Sequence, residues 1–162
     1  DGIDGLCSSV TVIYTAVFAV ISGMLGMFGQ RLLALCAAGG CVGFLMWNFP
    51  PAKVFMGDTG SMFLGGIVCA LGVGCGVEFL MVLAAMVYIL EALSVVIQST
   101  VFKITKRIYH TKEGKRLFKM TPIHHHFELS HWSEIKIDAV FSTVAALFGA
   151  FAVVLAYGMF VR

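Results

Sequence analysis

Five long apolar runs constrain this chain more than any other feature of its sequence. A helix needs about 20 consecutive apolar residues to cross the hydrocarbon core of a bilayer, and each run is close to that length. We therefore predict an all-α integral membrane protein with five transmembrane helices, organised as one domain over residues 1–162. The predicted spans cover residues 6–28, 32–49, 62–77, 79–102 and 137–161.

The composition agrees with this prediction and excludes several other classes of protein. Hydrophobic residues make up 59% of the chain and charged residues only 12%, whereas about 25% charged residues is usual in soluble domains. A net charge of +2 leaves no general basic surface for nucleic acid. The five cysteines lie in or beside apolar runs without a C-x-x-C pair, so we interpret them as small buried apolar residues. Membrane lipid is the expected surrounding.

The lysines and arginines are concentrated on one side of the predicted spans. By the positive-inside rule, the segments 1–5, 50–61 and 103–136 are cytoplasmic loops. Polar motifs from distant parts of the chain then meet at one membrane surface, as expected for a site that handles a soluble substrate. Nine of the eleven basic residues fall on the cytoplasmic side, namely Lys53, Lys103, Lys106, Arg107, Lys112, Lys115, Arg116, Lys119 and Lys136.

The first cytoplasmic segment carries two carboxylates, Asp1 and Asp4. On a helix they would share one face, where carboxylate oxygens suit Mg²⁺ or substrate hydroxyls. Asp and Gly also form ordinary turns and helix caps, so both interpretations stay open. The chain starts without Met or a signal-peptide pattern, and we expect a piece of a longer protein, a processed N-terminus being the alternative.

The second segment, residues 48–61, is polar and interrupted by proline and glycine, and it precedes a predicted span. We predict that it opens a helix at the membrane surface. Free N–H groups and the positive end of the helix dipole favour phosphate there, and Asp58 could hold a Mg²⁺ ion that bridges phosphates. The alternative is that Asp58 or Ser61 simply caps the helix.

Two polar residues, Glu91 and Gln98, lie seven positions apart within the predicted span 79–102. A carboxylate at this depth is costly and usually faces a cavity or a partner. The pair therefore indicates either a groove that enters the membrane or a hydrogen bond between helices.

The third segment, residues 103–136, is basic and partly amphipathic, which favours contact with anionic lipid, although a loop that only sets the orientation is also possible. It contains three consecutive histidines, His124, His125 and His126. They cannot all point one way, and His124 and His126 would share a side in an extended chain. Zinc ligands usually come with a second cluster, which is absent, so we favour partly protonated imidazoles beside phosphates.

Four motifs together resemble the phospho-N-acetylmuramoyl-pentapeptide transferase family, within the polyprenyl-phosphate glycosyl-1-phosphate transferase superfamily. They are P-A-K-V-F-M-G-D-T-G-S at 51–61, T-P-I-H-H-H-F-E-L at 121–129, D-G-I-D-G-L at 1–6 and L-E-A-L-S-V-V-I-Q at 90–98. The resemblance implies the C-terminal half of a ten-helix enzyme, whose partner is the N-terminal half of the same protein. One departure is His131, where the family usually has glycine.

The resemblance also implies an activity and a location. Members transfer phospho-N-acetylmuramoyl-pentapeptide from UDP-N-acetylmuramoyl-pentapeptide to undecaprenyl phosphate, with Mg²⁺, and form lipid I and UMP in peptidoglycan biosynthesis. They are multi-pass proteins of the bacterial inner (plasma) membrane with a cytoplasmic active site, and they are often homodimers. Because catalytic parts upstream of this chain would be missing, the chain alone could be inactive.

By motif matching, the resemblance gives each polar residue a role. The catalytic carboxylates would be Asp1, Asp4 and Asp58, with Asp58 as the Mg²⁺ ligand. The nucleotide site would contain Asp4, Asn48, Phe55 and Gly57, with Phe55 stacked on uracil. The diphosphate and sugar would meet Lys53, His124, His125 and His126, and Glu91 with Gln98 would line the membrane groove.

Two alternative functions remain at this stage. Relatives that use UDP-N-acetylhexosamine in other surface-glycan pathways share the aspartate of G-D-x-G-S, but they usually space their histidines differently. A non-enzymatic membrane module, such as half of a transporter with Glu91 and Gln98 on its pathway, would be supported by internal repeats, and the sequence contains none.

Overall fold

The computed structural model describes residues 2–108 and 114–161, and every regular element within these residues is an α-helix. Five of the helices are long and apolar enough to cross a membrane, which confirms the predicted fold class and number of spans. In chain order the elements are α1 (Leu6–Met24), α2 (Phe28–Asn48), α3 (Gly57–Gly74), α4 (Glu78–Ala84), α5 (Met86–Ile108), α6 (Ile123–Glu128) and α7 (Glu134–Phe160).

Helix α1 is the centre of the bundle and packs against α2, α3 and α7. Three of its buried hydroxyl side chains bond to carbonyls of the preceding turn, namely Thr11 to Cys7, Thr15 to Thr11 and Ser22 to Phe18. The phenol of Tyr14 donates to the carbonyl oxygen of Val68 at 2.8 Å and so joins α1 to α3. In an apolar surrounding, polar groups have to find their hydrogen-bond partners within the protein.

Two glycines end helices inside runs that the hydropathy pattern predicted as continuous. Gly26 and Gly76 have φ of 70° and 65°, and each follows the C-cap residue of a helix, Leu25 or Cys75, as the left-handed residue of a Schellman turn. The N–H of Met27 bonds to the Ser22 carbonyl, and the N–H of Val77 bonds to the Gly72 carbonyl. The predicted ends at 28 and 77 were therefore several residues too late, because the turn residues are themselves apolar.

The predicted fourth span, 79–102, differs from the structure in two ways. A turn at Ala85 divides it into α4 and α5, although Ala85 N–H still bonds to the Met81 carbonyl at 2.8 Å. The second difference is that α5 continues to Ile108, six residues into the predicted loop. Hydropathy misses both features, because apolar residues surround the turn and a helix can continue beyond the membrane core.

The polar motifs lie at one end of the bundle. Gly5, before α1, bonds to Asn48 at the end of α2, and α3 begins shortly afterwards. At the opposite end, the side chain of Gln30 packs against Gly74. We call the end formed by residues 2–5, 48–58 and 114–134 the motif end.

Candidate functional site

The segment before α1 is fastened to the loop after α2 by two side chains. Asn48 is 2% exposed, its Oδ1 accepts the N–H of Gly5 at 3.1 Å, and its Nδ2 donates to the carbonyl of Val54 at 3.0 Å. In return, Oδ2 of Asp4 accepts the N–H of Ala52 at 2.9 Å. Residues 43 to 48 positions apart thus form one support at the motif end, and the predicted nucleotide residues Asp4 and Asn48 belong to it.

The first turn of α3 presents its side chains to the outside. Asp58 is exposed, and its carboxylate forms no hydrogen bond with any residue in 2–108 or 114–161. The hydroxyl of Ser61 donates back to the carbonyls of Gly57 and Asp58, and α3 has no side-chain cap. The interpretation of Asp58 or Ser61 as a helix cap is therefore wrong, and the Asp58 carboxylate is free to bind a ligand.

Two other predicted residues of this loop are also exposed. Phe55 is 74% exposed, so its ring is accessible to a planar ligand. Lys53 Nζ lies 5.8 Å from the ring centroid of Trp47, a cation–π contact that directs it towards α2. Gly57 has φ of 66°, a conformation that side chains disfavour.

The three histidines lie on the short helix α6, and each has a different partner. Nδ1 of His124 is 3.0 Å from Glu91 Oε2, and Nδ1 of His125 is 2.8 Å from Glu128 Oε2. Nδ1 of His126 accepts the backbone N–H of Lys119 at 3.1 Å. The helix turns consecutive rings in different directions, so the extended arrangement considered for His124 and His126 is wrong.

A polar stripe on α5, consisting of Glu91, Gln98 and Thr105 at seven-residue spacing, holds the returning loop. Gln98 Oε1 accepts the N–H groups of Leu117 and Phe118, both at 3.0 Å, and its Nε2 donates to the Phe118 carbonyl. Thr105 accepts the N–H of Lys115, while Glu91 meets the first histidine. Because each step of seven residues is about 10 Å along a helix, the loop runs antiparallel to α5.

The segment before α1 also meets the histidine helix. Gly2 lies so close to the ring of His124 that a side chain at this position would overlap Nε2 of the imidazole. Three segments, residues 2–5, 48–54 and 123–128, are thus connected by contact. Asp1 lies outside the described residues, and the hydrogen bonds and ion pairs within the described part of the chain do not join Asp58 or Lys53 to a histidine.

Asp138 is a buried carboxylate that the sequence reasoning missed. It is 5% exposed in the second turn of α7, and its Oδ2 accepts the hydroxyl of Ser9 at 3.2 Å beside Gly5. A charge inside a predicted span was the available signal. Asp138 supplies a carboxylate to the first turn of α1, which contains no acidic residue of its own.

The sequence has close relatives among named enzymes. Residues 1–76 match the model of glycosyl transferase family 4. Over 91% of its length the chain is 50% identical to a phospho-N-acetylmuramoyl-pentapeptide-transferase of Carboxydothermus hydrogenoformans. The corresponding identities are 45% for Clostridium beijerinckii and 44% for Acetivibrio thermocellus.

The chain is thus similar to phospho-N-acetylmuramoyl-pentapeptide-transferases over 91% of its own length. It spans about 43% of the length of the first two of these relatives and 42% of the third. The five apolar helices make it a multi-pass membrane protein. The one departure from the family motifs now has a structural setting, because His131 has φ of 65°, the conformation that glycine adopts most readily.

The similarity to these transferases implies Mg²⁺, for which Asp58 is the candidate ligand at the motif end. Among residues 2–108 and 114–161, no group of three or more His, Cys, Asp and Glu side chains could enclose a metal. Mg²⁺ does not require such a group, since it usually keeps several waters and binds one or two carboxylates together with substrate phosphates. The exposed, unbonded carboxylate of Asp58 at the start of α3 fits that type of site.

Proposed function

We propose that this chain supplies part of the active site for transfer of phospho-N-acetylmuramoyl-pentapeptide from UDP to undecaprenyl phosphate. The products are lipid I and UMP. The observation that carries the proposal is the connection of three distant motifs, through Asn48, Asp4 and Gly2, at one end of a five-span bundle. The 50% identity to a transferase of this name supports the choice of reaction.

The residues of the motif end have two roles in this proposal: some hold the shape of the site, and others contact the substrate. Asn48 and Asp4 are occupied by backbone groups, so they hold the shape of the uridine site from beneath. The exposed ring of Phe55 stacks on uracil, and the left-handed Gly57 lets the backbone approach the nucleotide. Lys53 adds positive charge at the rim.

The reaction is displacement at phosphorus. An oxygen of the lipid phosphate attacks the phosphorus that carries the sugar, and the bond from that phosphorus to the oxygen of UMP breaks. Mg²⁺ held by Asp58 and the diphosphate would supply neutralisation of the charge that develops. The chain's own part is to hold the reactants at the membrane surface and to place helix α6, which carries His124, His125 and His126, beside the phosphate and sugar. Gln98 acts by holding the loop that leads to these histidines.

The setting of the proposal is the cytoplasmic face of the bacterial plasma membrane. The positive-inside rule places the basic residues of the motif end in the cytoplasm, where a nucleotide substrate is available. The rest of the active site comes from the N-terminal half of the same protein.

A test of the proposal is UMP release by the full-length gene product in lipid, supplied with Mg²⁺, undecaprenyl phosphate and one of two nucleotides. We expect release with UDP-N-acetylmuramoyl-pentapeptide, none with UDP-N-acetylglucosamine, and loss of release in Asp58→Asn. Glu78→Gln, an exposed residue at the opposite end of the bundle, is the matched control and stays active. Release only with the simpler sugar would assign the protein to another surface-glycan pathway, and release with neither would refute transferase activity.

A further inference from the structure

The contact between Glu91 and His124 differs from the other contacts of the loop with α5. The hydrogen bonds of Gln98 and Thr105 to the described part of the loop are made to its backbone, so they do not depend on which side chains the loop carries. Glu91 instead bonds to a ring nitrogen of one of the proposed site residues, at 3.0 Å. The side chains of His124 and Glu91 are only 7% and 18% exposed. The pair is thus largely shielded from solvent.

The surroundings of the pair strengthen its hydrogen bond. A cavity of about 190 Å³ adjoins it and is lined mainly by apolar side chains of α1, α5 and α7, with Cys7 and Tyr88 as the other polar groups. The ring of His125 lies 4.3 Å away, centroid to centroid. In an apolar, poorly hydrated site a hydrogen bond to a charged group is stronger than in water.

The charge on Glu91 decides which nitrogen of His124 carries the proton. An ionised carboxylate only accepts hydrogen bonds, so with Glu91 ionised Nδ1 of His124 is the N–H donor. In the neutral ring Nε2 then keeps its lone pair. Nε2 is buried, has no partner within the described part of the chain, and faces Gly2 in the segment before α1.

The third histidine has the opposite arrangement. Nδ1 of His126 accepts the N–H of Lys119, so the neutral ring of His126 carries its proton on Nε2. The first and third histidines thus differ when their rings are neutral, His124 with an acceptor at Nε2 and His126 with a donor at Nε2.

We propose that Glu91 is a positioning residue that holds His124 in the Nδ1–H form and so keeps Nε2 as a hydrogen-bond acceptor where the histidine helix meets the segment before α1. This rests on the proposed transferase function, in which the histidine helix lies beside the diphosphate and sugar. Glu91 itself does not touch the substrate. It acts through the orientation and proton position of the imidazole, as outer partners of functional histidines commonly do.

The kinetic test compares Glu91→Gln and Glu91→Leu with wild type in the full-length gene product, using UMP release. Glutamine keeps an acceptor oxygen without the charge, and leucine removes both. We expect kcat to fall about tenfold in Glu91→Gln and about 100-fold in Glu91→Leu, with KM for the nucleotide within about threefold of wild type. Glu78→Gln, the same change on the exposed first residue of α4, keeps the wild-type kcat. Wild-type kcat in Glu91→Leu would overturn the proposal.

The second readout is ¹⁵N NMR of histidine-labelled full-length protein above the pH at which its rings are neutral. The His124 signals are those that disappear in His124→Asn. We expect the Nδ1–H form in wild type and in Glu91→Gln, and the Nε2–H form in Glu91→Leu. An Nε2–H ring in wild type would refute the positioning role. This readout needs no turnover, so it decides the pairing even if the wild type releases no UMP and the transferase proposal fails.

Discussion

Replacement of Asn48 by leucine is expected to release the segment before α1 from the loop after α2. Asn48 forms two hydrogen bonds, one from the N–H of Gly5 and one to the carbonyl of Val54. Leucine has a similar shape and fills the same buried space, but it neither accepts nor donates. The change therefore removes the two bonds without a large cavity.

The two bonds contribute unequally. Gly5 is buried, so in Asn48→Leu its N–H is left without the Asn48 acceptor, and this loss costs about 1–3 kcal/mol. Val54 is 46% exposed, so water can replace the lost donor and the cost is about 1 kcal/mol. Together the two losses lower the free energy of local opening of this segment by about 2–4 kcal/mol. This corresponds to a roughly 30- to 1000-fold larger population of the open state.

Hydrogen–deuterium exchange of the full-length gene product measures this population directly. We expect peptides that contain residues 3–6 and 50–56 to exchange faster by that factor in Asn48→Leu, while peptides from the middle of α1 keep their rates. Asp58→Asn is the control, because the Asp58 carboxylate has no hydrogen bond to lose. Equal exchange of the Gly5 amide in wild type and Asn48→Leu would refute the reasoning.

Three further changes test other contacts of the motif end. Gly2→Ala should displace the buried imidazole that Gly2 faces and lower kcat about tenfold or more. Gly29→Ala, in open space on α2, should leave kcat unchanged. Equal effects of the two changes would contradict the close approach of Gly2 to the imidazole. His131→Gly should raise the thermal midpoint and His131→Val should lower it, since a left-handed conformation costs an ordinary residue roughly 1–2 kcal/mol, and identical midpoints would count against strain there. Gln98→Leu should speed amide exchange of residues 115–120 by about tenfold or more, because it removes three hydrogen bonds to that segment, and an unchanged rate would show that other contacts hold the loop.

The sequence predicts the number of spans and their approximate positions, because burial in a bilayer requires long apolar runs. It does not predict where the helices end. Gly26 and Gly76 end α1 and α3 through a left-handed turn inside apolar surroundings, and Ala85 interrupts the fourth run without a polar residue. These features depend on backbone conformation, which hydropathy does not register.

Contacts between distant segments are the other part that the sequence leaves open. Glu91 was expected either to face a groove or to bond another helix, and the structure shows the second arrangement, because its partner His124 lies on α6. The sequence did not indicate which helix that would be. The bond between Gly5 and Asn48 joins residues 43 positions apart, and no local pattern encodes it. The exposed position of Asp58, by contrast, follows from its place in a polar first turn.

In the proposed function, Asp58 and the histidine helix act on one substrate in one site. A double-mutant cycle tests it most directly, with kcat/KM for UMP release measured in Asp58→Asn, His124→Asn and the combined variant of the full-length gene product. If both residues act on the same transition state, we expect the combined loss to be smaller than the product of the single losses by about tenfold or more. Losses that multiply to within about twofold, as independent sites give, would contradict the claim.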